Sequence, residues 1–171
     1  MSETSLGTLV TYNPWSIGPA VLLDEIGTRF EEMRIHHVAV VDEERHVLGM
    51  ISETDLIRTR QSQRMALAMV GGGQPTECPT VLARDAMSRD VLTVDQAGNF
   101  REALKLLLER QIHALPVTRN ESLVGMISSR DFLREFSYGE LPGSSEPVSS
   151  LLSAKPPEPL TPDMSLDEAS M

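Results

Sequence analysis

The chain repeats itself. Displaced by 77 positions, Ser16 falls on Thr93, Ile17 on Val94, Leu23 on Phe100, Glu25 on Glu102, Ile35 on Ile112 and His36 on His113, without a gap. Past the polar stretch Glu44 to His46 the displacement becomes 76, and Gly49, Met50, Ile51, Ser52 and Asp55 fall on Gly125, Met126, Ile127, Ser128 and Asp131. A polar surface turn tolerates the loss of one residue. A shared order of segments on either side of it marks a duplicated supersecondary unit, so the chain folds as one structural plan built twice.

Each copy follows the same plan. Over 23–34 and 100–111 apolar residues recur at helical spacing: Leu23, Ile26, Phe30 and Met33, then Phe100, Ala103, Leu104, Leu107 and Leu108. Short β-branched or aliphatic runs at 38–41 and 115–117 lead through polar turns to apolar runs at 47–51 and 123–127, which read as strands. A closing helix starts near Ser52 and near Ser128, carrying Leu56 and Ile57 in one copy and Phe132, Leu133 and Phe136 in the other.

These copies occupy 1–62 and 83–138, and the connector 63–82 is broken by Gly71, Gly72, Gly73 and Pro75. A second linker, 139–148, is rich in glycine, proline and serine. Over 149–171 a third copy begins: Leu160 to Ala169 match Ile17 to Ile26, with Pro162 on Pro19 and Leu166-Asp167-Glu168 on Leu23-Asp24-Glu25. It stops before any strand, so the expectation is either a fragment of a longer protein or a tail that packs on another copy or chain.

The chain is 40% hydrophobic but only 4% aromatic, so its core is mainly aliphatic. A formal charge of -10 argues against nucleic acid or an anionic membrane as main partner, since both require a basic footprint. Cys78 is the only cysteine, which excludes an internal disulfide and a cysteine zinc site. No apolar run approaches the roughly 18 residues of a membrane span, and the first residues carry no secretory pattern. The expectation is a cytoplasmic protein without membrane insertion.

The chemistry concentrates in Gly49-Met50-Ile51-Ser52-Glu53-Thr54-Asp55 and Gly125-Met126-Ile127-Ser128-Ser129-Arg130-Asp131. At a strand-to-helix corner, a serine hydroxyl and the first-turn N–H groups can together hold an anion. An aspartate three residues on can accept bonds from the adjacent hydroxyls of a ribose. The same pattern is also that of a helix capping box, which needs no ligand and is worth about 1 kcal/mol. Both readings stand at this point.

With Gln111-Ile112-His113-Ala114-Leu115-Pro116-Val117 and Asp85-Ala86-Met87-Ser88, these motifs resemble the CBS domain family over about residues 9–134. The resemblance implies an α+β fold of tandem CBS repeats, each β-α-β-β-α, packed through their sheets as a Bateman module with two clefts. Many family members hold adenosine-containing ligands there, so AMP, ADP, ATP or S-adenosylmethionine is the expected regulatory ligand, and an adenine nucleotide the expected partner. Carried onto this chain, Asp55 and Asp131 bind ribose, and Ser52 and Ser128 sit near ribose or phosphate. Ser16, Ile17, Thr93 and Val94 border the adenine. His36 and His113 stand where a kinase regulatory subunit of the family has phosphate-contacting histidines, and Arg130, opposite Thr54, adds charge to one cleft only. Each histidine can equally be a strand-starting residue with a local hydrogen bond, and Trp15, opposite Leu92, either lines a base pocket or plugs the module edge.

No nucleophile with a neighbouring base, metal-ligand cluster or phosphate loop occurs in the sequence, so neither an enzyme nor a metal site is expected. The expected function is a ligand-sensing regulatory module that acts as a homodimer. The alternative is a structural or dimerisation module whose clefts stay empty.

Overall fold

The computed structural model describes residues 10–69 and 80–138. Its elements run β1 (Thr11–Tyr12), β2 (Ser16–Ile17), α1 (Leu23–Met33), β3 (His37–Val41), β4 (Val47–Ser52), α2 (Glu53–Met69), α3 (Ala83–Ala86), β5 (Val94–Asp95), α4 (Phe100–Glu109), β6 (Ala114–Arg119), β7 (Ser122–Ser128) and α5 (Ser129–Tyr138). The order β-α-β-β-α is present twice, as β2-α1-β3-β4-α2 and β5-α4-β6-β7-α5, and the fold is α+β with two sheets. Helix α2 continues to Met69, so its tail forms the first part of the connector. The glycine-rich part of that linker, 70–79, and the second linker and third beginning, 139–171, lie outside the described residues. Among the described residues no helix is long and apolar enough to cross a membrane.

Helix α1 starts with Asp24 and Glu25, whose charges suit the positive end of the helix dipole, and buries Leu23, Ile26 and Phe30. Each such side chain, fully buried, stabilises the fold by about 1.5–3 kcal/mol. Two residues of the expected apolar faces stay outside: Met33 is 47% and Leu108 69% exposed. Arg34 and Gln111 each adopt a φ of 52°, and the next residues, Ile35 and Ile112, donate their N–H groups to the carbonyls of Phe30 and Leu107 at 3.2 and 3.1 Å. This left-handed closure usually recruits glycine. Its recurrence at related positions turns the chain sharply into β3 and β6.

In each copy the first strand pairs parallel to the second and the second antiparallel to the third. The two hairpins share an irregularity at the related steps Val40/Val41 and Val117/Thr118. One core gathers Ile17, Ile26, Phe30, Val38 and Ile51, and the other Val94, Leu107, Leu115, Val117 and Ile127. A third cluster of Ala39, Val41 and Leu123, with Val47 and Met126 against it, joins the sheets. The tips meet as well: Leu123 donates its N–H to the Arg45 carbonyl at 2.9 Å, and Arg45 Nε donates to the Leu123 carbonyl at 3.2 Å.

The segments leading into the copies are exchanged. Strand β1, ahead of the first copy, pairs antiparallel with β7 of the second, Thr11 opposite Met126 and Tyr12 opposite Gly125. Ahead of the second copy, Ser88 bridges Met50 of the first, each N–H donating to the other's carbonyl at 2.9 Å. Val10 therefore lies in the second core and Ala83, with Met87 packed nearby, in the first. Gly49 and Gly125 lie directly beneath these crossings. A Cβ on Gly49 would stand 2.9 Å from the Ser88 carbonyl oxygen and 2.5 Å from Met87 Sδ; on Gly125 it would collide with Val10 and stand 3.2 Å from the Thr11 carbonyl. The motif's glycine is required by the close approach of another backbone.

Gly49→Ala should therefore push the crossing segment off β4 and cost about 1–3 kcal/mol, the range for overpacking a tight site. Urea unfolding measures it, and an unchanged midpoint would show that the segment moves aside freely.

Candidate functional site

Each exchanged segment forms a wall of a cleft whose floor belongs to the other copy. The first cleft, about 600 Å³, lies between Thr11, Asn13, Pro14 and Trp15, the turn of Arg34, Ile35 and His36, and the corner of Ser128, Ser129, Arg130 and Asp131. The second, about 310 Å³, lies between Ser88, Asp90, Val91 and Leu92, the turn of Gln111 and Ile112, and the corner of Ser52, Thr54 and Asp55. His37, His113 and Ala114 line both. These volumes span the low to middle range of small-ligand sites.

At each corner the aspartate caps its helix. Ser52 donates its N–H and its hydroxyl to Asp55 Oδ2 at 2.9 and 2.6 Å, and the Asp55 N–H donates back to Ser52 Oγ at 3.3 Å. Ser128 donates in the same way to Asp131 Oδ2 at 2.8 and 2.6 Å. The capping reading of the motif is thus realised in the geometry. It engages one oxygen of each carboxylate. The other faces an arginine: Arg58 Nη1 stands 3.7 Å from Asp55 Oδ1, and Arg134 Nη2 stands 3.3 Å from Asp131 Oδ1. Those guanidiniums are 72% and 61% exposed, so the contacts are weak and exchangeable.

The histidines also act locally. The carbonyls of His36 and His113 accept the first N–H of the following helix, from Glu53 at 3.1 Å and Ser129 at 3.0 Å. The His36 ring, Nδ1 toward Glu53 Oε2 at 2.9 Å, lines the first cleft, whereas the His113 ring lines both. A third imidazole, His37, has alanine at the related position, so the repeat carried no sign of it. It stands where the clefts meet. Burial lowers its pKa below 6.5, and the neighbouring His113 and His36 lower it further, against smaller opposite effects of Asp55 and Glu53.

Of the other expected residues, Ser52 and Asp55 line the second cleft and Ser128, Arg130 and Asp131 the first. Ser16, Ile17, Thr93 and Val94 are not among the residues that line either cleft. Ile17 and Val94 face the two cores, 6% and 8% exposed, and the cleft walls are built from the residues just ahead of them. Trp15 and Leu92 stand there instead. Trp15 packs edge-on against Phe30 at a centroid distance of 6.4 Å, so it closes the first core and lines the first cleft together.

The CBS domain family profile matches residues 6–62 and 83–138. An uncharacterised protein of Methanopyrus kandleri is 31% identical over 139 residues, which cover 81% of this chain and 65% of that protein. The chain thus matches just under two thirds of that relative's length. Among solved structures, the CBS domain pair of protein MJ0100, in complex with 5-methylthioadenosine and S-adenosyl-L-methionine, has a TM-score of 0.65 at 18% identity, covering 81% of this chain and 100% of that one. CBSX2 in complex with AMP has a TM-score of 0.63 at 21% identity, covering 78% and 96%. At these identities the likeness is one of fold.

His37 makes the fold sensitive to acid. Its pKa lies below 6.5 in the native state and returns to that value on unfolding, so the unfolded chain binds the extra proton. Its contribution is intact above about pH 6.5 and is lost as the pH falls through the native value. His46, raised mainly by its hydrogen bond with Asp42, contributes with the opposite sign in the same region. His37→Gln should therefore remove an acid-destabilising component, seen as a smaller loss of melting temperature between about pH 7 and pH 5. Parallel wild-type and variant profiles would dismiss this role.

Proposed function

The chain belongs to the CBS domain family, two of whose domains it carries in tandem, and from that premise we propose that it is a regulatory module that senses an adenosine-containing nucleotide. The observation that carries this reading is the repeated corner: a helix start with a capped aspartate, opposite a wall from the other copy, at a cavity large enough for such a ligand. The solved relatives that bind 5-methylthioadenosine, S-adenosyl-L-methionine and AMP support the ligand class.

In the first cleft Asp131 Oδ1 would accept the ribose hydroxyls in place of Arg134, while Oδ2 keeps the cap intact. Ser128 would border the ribose, and a phosphate would meet Arg130, His36, His113 and the start of α5. Trp15 and Ile35 supply apolar walls for a base. In the second cleft Asp55 and Ser52 take the matching parts. Because each cleft is walled by both copies, a ligand would favour one packing of the copies over another, which is what a regulatory output requires. The reading assigns no catalytic residue. It includes a homodimer, supported by Ile57 on α2 and Leu133 on α5, related by the repeat and 57% and 65% exposed.

Thermal unfolding with AMP, ADP, ATP and S-adenosylmethionine tests the proposal. A ligand at 100 times its dissociation constant should add about 2.7 kcal/mol of stability. Asp131→Asn should weaken binding at least tenfold, the order of one lost charge-assisted pair, and so bring the added stability at the same ligand concentration down to about 1.4 kcal/mol or less; an unaltered response would remove the ribose assignment. No response to any of the four would favour a structural, dimerising role.

A further inference from the structure

The repeat allows the two clefts to be compared position by position, and the balance of the differences puts positive charge in the first. Arg34 of the first cleft is matched by Gln111 in the second, Arg130 by Thr54, and Asn13 by Asp90. Each pair leaves the first cleft one charge more positive. The remaining ionic groups offset this only in part. Asp55 and Asp131 are equivalent, and His37 and His113 belong to both clefts; Arg58 lines the second cleft whereas Arg134 does not line the first, which returns one of the three charges and leaves the first cleft the more positive. His36 lines only the first, where Glu53 holds its ring.

We propose that the clefts take different classes of ligand: the first a nucleotide with its phosphate, the second a nucleoside whose 5′ group is uncharged or cationic, with Asp90 the residue that turns phosphate away. This rests on the adenosine-ligand reading and adds the discrimination. Asp90 is exposed on the wall contributed by the exchanged segment, across the cleft from the Asp55 corner. A phosphate there would meet Asp90 where its counterpart in the first cleft meets the neutral amide of Asn13. In place of Arg130, which stands beside the start of α5 in the first cleft, it would find Arg58, 72% exposed and set against Asp55. The smaller second cavity suits the smaller ligand, about 310 against 600 Å³.

Isothermal titration of the full chain with AMP and with adenosine decides the matter. The wild type should bind one AMP, lost in Asp131→Asn and kept in Asp55→Asn, whereas adenosine binding should survive Asp131→Asn through the second cleft. Asp90→Asn, an isosteric change at an exposed position, should admit a second AMP, its affinity there rising about tenfold for one charge removed at a partly solvated site. Two equal AMP sites in the wild type, or an Asp90→Asn variant with unchanged AMP stoichiometry and affinity, would overturn the discrimination while leaving the adenosine-ligand reading standing. Failure of both AMP and adenosine to bind would remove that reading, and the discrimination with it.

Discussion

Everything in this fold hangs on two places where one copy's backbone crosses closely over the other's sheet. At both the contact is made of main-chain groups, Thr11 against Met126 and Ser88 against Met50, and at both a glycine lies beneath. Main-chain pairing at such short range leaves no room for a side chain between the layers, so Gly49 and Gly125 come before the ligand chemistry of their motif. The crossing carries Val10 into one core and Ala83 into the other, and it places Trp15 and Leu92 on the walls of cavities floored by the opposite copy. Fold and clefts are one arrangement.

Duplication supplies the clefts, and divergence makes them unequal. The corners share the two bonds from serine to aspartate to within about a tenth of an ångström, 2.9 and 2.6 Å in one copy and 2.8 and 2.6 Å in the other. A helix cap is a stability feature that either copy would lose at once on substitution. The residues around it answer to no such demand, and there the copies part: arginine against threonine, asparagine against aspartate, histidine against alanine at His37 and Ala114.

Much of this was legible in the amino-acid order because local physics wrote it. Helical spacing located α1 and α4, short apolar runs located the strands, and the serine and aspartate at fixed separation marked both corners. The exchange was not legible, since Val10 and Ala83 read simply as apolar residues and nothing local says which core receives them. That tertiary fact puts Trp15 and Leu92, just ahead of Ile17 and Val94, on the cleft walls. His37 escaped for the converse reason: comparing copies finds what both share, and this residue has no twin. Helix α2 runs on into the connector because nothing before Gly71 stops it.

The exchanged segments also separate two notions of a unit. By inheritance the unit is a single copy, about 77 residues from one occurrence to the next. By cooperativity it is the pair, because a lone copy would lack a piece of its own interior and present the rim of β4 or β7 with its pairing groups open to any passing strand. Melting should thus be a single event shared by both halves, and a gene cut between them would encode two sticky, half-filled shells in place of two small domains.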